Sequence, residues 1–111
     1  MSSYATVKKE YIPAKGKNMF LKVELYYSLG GVNMFTYKNE ARGYYLSVSP
    51  VEREKIDGFG GFMESYTAFT GVKVLVHPCA KKGKTAESKA LEQYDGKKEE
   101  LLKLFASYLP C

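Results

Sequence analysis

The stretch Met19-Phe20-Leu21-Lys22-Val23-Glu24-Leu25-Tyr26-Tyr27 alternates without a break. Met19, Leu21, Val23, Leu25 and Tyr27 fall on one side, and Phe20, Lys22, Glu24 and Tyr26 on the other. A period of two is that of a β-strand with one face turned to a core. The chain must therefore build a sheet and supply something to cover its aliphatic face. The other face is the unusual one, because water alone does not select Phe20 and Tyr26 there.

More strands follow. Gly30-Gly31 reads as a hairpin turn, since glycine takes positive φ without a steric cost, and residues 32–38 form the next strand. In 42–49, Tyr44, Leu46 and Val48 share one face while Tyr45, Ser47 and Ser49 share the other. Pro50 ends that strand or marks an edge. Residues 51–61, charged and then glycine-rich, read as a flexible loop. The segment 62–70 alternates again, Gly71 marks a turn or bulge, and 72–77 is rich in β-branched residues. Ahead of all these, residues 1–18 form a basic arm or an edge strand, broken by Pro13 and the cluster from Lys15 to Asn18.

Residues 85–109 carry a helical period. Leu91, Tyr94, Leu101, Phe105 and Tyr108 build one apolar stripe. Thr85 is the expected N-cap, with Glu87 opposing the dipole in the first turn. Asp95-Gly96 interrupts the stripe, so the helix kinks there or Asp95 caps a second segment; Pro110 stops it. The expected fold class is α+β: an antiparallel sheet of four to five strands followed by one long C-terminal helix packed on one face, with 19–111 as a single domain. The stripe covers Leu21, Val23, Leu25, Leu46, Val48, Val74 and Val76.

Composition narrows the function. At 111 residues the chain holds one modest core. Its formal net charge of +5 is compatible with a polyanionic partner and also with ordinary solubility charge. The chain has 10 Tyr and 6 Phe but no Trp, which suits strands and interfaces alike. Cys79 and Cys111 are too few for a disulfide framework, and with His77 alone they do not make a zinc site. No cofactor is implied. The first 17 residues lack a signal-peptide core and no stretch is long enough to span a membrane, so a cytoplasmic, soluble protein is expected.

The nearest thing to a named motif is Pro78-Cys79-Ala80-Lys81-Lys82-Gly83-Lys84-Thr85. It ends like a phosphate-binding loop, but Pro78 stands where that loop needs its first glycine. A nucleotide-hydrolysing site is therefore not expected. What survives is an anion-attracting helix start with Lys81, Lys82 and Lys84, or simply a solvated basic loop. His77 is alone on a strand, Cys79 has no partner base in a catalytic pattern, and the acids are scattered among lysines. No enzyme is expected.

The second sheet face carries the strongest rationale. It holds Phe20, Lys22, Tyr26, Phe35, Tyr37, Tyr45, Ser47, Ser49, Lys73 and His77. Rings flanked by lysines form a stacking platform for unpaired bases, which a duplex does not expose. The same rings could instead fill a second core or a dimer interface. Strands followed by one long helix, with aromatic and basic strand faces, resemble the single-stranded-DNA-binding domains of the transcriptional coactivator and Whirly type. The resemblance lies in element order over 19–109. It implies subunits assembled through helices and sheets that bind unpaired strands, and it carries over no individual site. The expected function is non-catalytic binding of single-stranded DNA or RNA by a homo-oligomer; the alternative is an assembly module that uses the aromatic face as its interface.

Overall fold

In the computed structural model, which describes residues 4–32, 39–56, 61–66 and 71–109, the alternating stretch is a strand with a neighbour on each side. The chain order is β1 (Tyr4–Pro13), β2 (Met19–Ser28), β3 (Gly31–Val32), β4 (Asn39–Glu40), β5 (Gly43–Ile56), β6 (Gly61–Tyr66), β7 (Val72–Pro78), α1 (Lys84–Glu92), α2 (Tyr94–Lys103) and a 3-10 turn at Ala106–Tyr108. All strand pairs are antiparallel: β1 with β2, β2 with β5, and β5 with both β6 and β7. β3 and β4 form a separate small ribbon between β2 and β5.

Because β2 occupies one edge of β5, β6 and β7 share the other and lie end to end along it. β7 pairs with β5 as far as Val48, and β6 takes over at Val51. Pro50 stands opposite the gap between them. It cannot donate to a ladder, and on that edge there is no ladder to lose. This corrects two expectations: β5 does not end at Pro50, and residues 51–56 are strand, not loop. It also settles the lead-in, where β1 is a paired edge strand and not a floppy arm.

The core lies where the alternation requires it. Leu21, Val23, Leu25, Tyr27, Tyr44, Leu46, Val48 and Val76 are buried with Ala90, Tyr94, Leu101 and Phe105 from the helical layer. Tyr27 and Tyr44, opposite each other in the ladder, meet edge to face at 5.1 Å. The helical layer is not one long helix. It breaks at Gln93, whose amide bonds back to Ala90 O and Leu91 O while Tyr94 begins α2. Gly96 weakens any continuous helix here, and the break lets Ala90 and Tyr94 both reach the sheet. Leu91, counted in a single stripe, is left exposed. α1 packs near β7 and α2 near β5. The N-cap is Gly83, not Thr85, so the cap lies two residues earlier than expected.

One polar cluster ties β1 to α2. Tyr94 Oη and Lys98 Nζ both donate to Glu10 Oε1, at 2.9 Å and 2.8 Å. Lys8 Nζ sits 4.2 Å above the Tyr94 ring. The Lys98 bond, against partial burial and with help from Tyr94 and Lys8, holds the Glu10 carboxyl below its ordinary 4.5. A carboxyl lowered on folding stabilises above its unfolded pKa, and that contribution is lost as pH falls through the folded value. Glu10→Gln is expected to flatten the fall of stability below about pH 4.5, as read by denaturant midpoints across pH. An unchanged acid limb would remove the cluster from the account.

Candidate nucleic-acid interface

The ladder registers place Phe20, Lys22, Glu24 and Tyr26 of β2 beside Tyr45, Ser47 and Ser49 of β5 and Lys73 of β7, on the face turned away from the helices. β1 adds Thr6, Lys9 and Tyr11 to the same face, opposite Tyr26, Glu24 and Lys22. Beyond Pro50, β5 adds Val51 and Arg53.

Two ring pairs stand on this face. At one end Tyr11 and Phe20 meet edge to face, with centroids 6.3 Å apart and planes at 83°. The Arg53 guanidinium lies 4.0 Å from the Tyr11 centroid and 6.0 Å from that of Phe20, and Lys9 Nζ lies 6.0 Å from Tyr11. At the other end Tyr26 and Tyr45, opposite in the ladder, stack at 5.9 Å and 18°. Lys73 Nζ is 5.4 Å from the Tyr45 centroid and pairs with Glu40. Tyr45 Oη donates to Ala41 O at 2.6 Å. Burial and the Glu40 charge raise the Tyr45 pKa, so this hydroxyl stays a donor. Between the pairs Glu24 is buried, accepting from Thr6 Oγ1 and lying 4.0 Å from Lys22 Nζ.

The face is less open than its sequence suggests. Phe20, Tyr26 and Tyr11 are half-buried, but Tyr45 is 6% exposed and Val51 is sealed. Tyr45 is therefore a floor for Tyr26, not a free stacking surface. His77 does not join the group. A register shift in the β5–β7 ladder sets it opposite Tyr44, on the helix side, while Leu75 takes the place opposite Tyr45. Phe35 and Tyr37 lie outside the described residues. Lys81, Lys82 and Lys84 are exposed near the start of α1, at the end of the sheet to which β7 leads.

Sequence reasoning missed Tyr11, Lys9 and Arg53. Lys9 and Tyr11 alternate with Lys8, Glu10 and Ile12, but both sides are of mixed polarity, so only the pairing of β1 with β2 assigns their face. Arg53 was hidden by reading Pro50 as a strand end.

Among the described residues no group of His, Cys, Asp or Glu side chains is placed to hold a metal ion, and no helix is long and apolar enough to cross a membrane. Cys79 is a half-buried thiol whose pKa burial raises; Cys111 lies outside the described residues. No protein-family model matches the chain, and no curated protein and no solved structure is found to match it.

Proposed function

We propose that this protein binds single-stranded nucleic acid, without catalysis, on the sheet face opposite its helices. One observation carries the reading: the Tyr11–Phe20 pair has Arg53 and Lys9 at its rings, and the Tyr26–Tyr45 pair has Lys73 at its own. From Phe20 to Tyr26 the strand runs roughly 20 Å at about 3.3 Å per residue. That spacing suits a strand that stacks bases at both ends and lays its backbone across cations between them. The buried Glu24 in the middle disfavours phosphate there and turns the backbone toward the Lys9, Arg53 and Lys73 rim.

Labelled oligonucleotides in fluorescence anisotropy test the reading. Tyr11→Ala and Phe20→Ala are each expected to weaken binding by about 1–3 kcal/mol, the worth of one base–aromatic stack. Lys9→Ala is expected to lower the salt slope by about 0.7, the share of one phosphate contact on a single strand. Absence of binding to DNA and RNA strands at low salt ends the proposal.

A second reading, assembly from copies of this chain, is favoured by a different surface. An apolar groove of about 350 Å³ between α2 and the final turn is lined by Glu99, Leu102, Lys103, Ala106 and Leu109. Its charged walls are of opposite sign, so a two-fold pairing sets Glu99 of one copy against Lys103 of the other. Leu104 stands 67% exposed nearby. Sedimentation of the same samples separates the readings: apolar association survives high salt, whereas phosphate contacts weaken steeply.

A further inference from the structure

The loop from β7 into α1 carries Lys81, Lys82 and Lys84 around Gly83, and the proposed strand-binding face makes no use of it. This loop is anchored. Tyr27 Oη donates to Ala80 O at 3.2 Å, Arg42 Nη1 donates to the same carbonyl at 3.4 Å, and the Cys79 amide donates to Arg42 O at 3.2 Å. Gly83 caps α1 in extended conformation and no side chain accepts from the first-turn amides. Such a helix start concentrates partial positive charge and unsatisfied donors.

A second observation is independent of the helix. Beside this turn lies a cavity of about 200 Å³ lined by Ala5, Thr6, Val7, Tyr44, Lys82 and Glu87. Tyr44 is wholly buried, and among the described residues its hydroxyl finds no hydrogen bond of normal geometry. Burial raises its pKa, outweighing the nearby Gly83 amide, so the hydroxyl remains a protonated donor. A buried donor without an acceptor costs stability until a ligand supplies one. An anion in the cavity would meet the Tyr44 hydroxyl and Lys82, beside the start of α1. Among the described lining residues Glu87 is the acid, set against Lys82.

We infer that this cavity is a binding site for a phosphate group, held by the Tyr44 hydroxyl, the Lys82 ammonium and the first-turn amides of α1. Glu87 opposes the anion and keeps it exchangeable. A small molecule and the end of a nucleic-acid strand both supply such a phosphate, and the chemistry at the site is the same.

The test is an amide NMR titration of the full chain with inorganic phosphate against chloride of matched ionic strength. Displacement of the Lys84, Thr85 and Ala86 amides by phosphate alone supports the site. Tyr44→Phe, a conservative change in the core, and Lys82→Ala, a change at an exposed position, are each expected to weaken it about fivefold or more. Glu87→Gln is expected to tighten it. No displacement of these amides, or displacement unaltered in both Tyr44→Phe and Lys82→Ala, overturns the inference. One oligonucleotide with and without a terminal phosphate separates the sources: tighter binding of the phosphorylated form, lost in Lys82→Ala, assigns the site to strand ends, and equal binding assigns it to small phosphates. Inorganic phosphate is the primary probe, so this result does not depend on whether the sheet binds strands.

Discussion

Replacing Phe105 by alanine is expected to lower the free energy of unfolding by about 3–5 kcal/mol. The ring is 3% exposed and sits in the core with Leu101 and Tyr94 against β2 and β5. It also meets Tyr108 at 5.6 Å, and the Lys15 amide donates to Tyr108 O at 2.6 Å, tying the C-terminal turn to the loop after β1. Truncation removes the transfer free energy of the ring and leaves a void that the hydrogen-bonded sheet cannot close. A domain of this size is stable by roughly 5–15 kcal/mol, so the variant should unfold at much lower urea with an unchanged m-value. A loss under about 1 kcal/mol would mean that the C-terminal layer does not pack on the sheet as described.

Gly43→Ala is the second large effect. At φ +154° a Cβ here would lie 2.6 Å from His77 O and 2.8 Å from Pro78 Cα. Both are backbone of the adjacent strand, so neither can swing aside. β7 must move off β5 or the residue must leave its conformation, and strain plus overpacking together should cost about 2–4 kcal/mol. Gly31 is the control. It also has positive φ, at +108°, but a Cβ there meets nothing within 4 Å among the described residues. Gly31→Ala should cost only the backbone strain, about 1 kcal/mol. Equal losses in the two variants, measured by denaturant unfolding, would show that close approach of β5 and β7 at Gly43 is not what demands glycine.

Local periodicity was legible wherever one rule governed a segment. Alternation in 19–27 and 42–49 was enough to divide Leu21, Val23, Leu25, Leu46 and Val48 from Phe20, Lys22, Tyr26 and Tyr45, because a strand's side chains alternate whatever the strand pairs with. It was not enough for β1, where Pro13 and the lysines obscured a strand whose pairing with β2 decides its state. Nor could it reveal that 51–56 continues β5, since Pro50 is harmless only because β6 and β7 leave a gap there. The single stripe failed at Leu91 because helix breaks are set by what each segment must reach, and Tyr94 must reach Glu10 as well as the core.

By itself, then, the sequence determined the α+β class and the division of the sheet into an aliphatic face and a ringed one, since both follow from backbone geometry acting on neighbours along the chain. Only the tertiary structure decided which rings stand together, that Arg53 and Lys9 accompany Tyr11, that His77 turns to the helix side, and that the Tyr44 hydroxyl ends beside the start of α1. Those depend on ladder register and on the approach of residues far apart in the chain. A one-residue shift in a ladder reverses a side chain's face, and no local pattern records it.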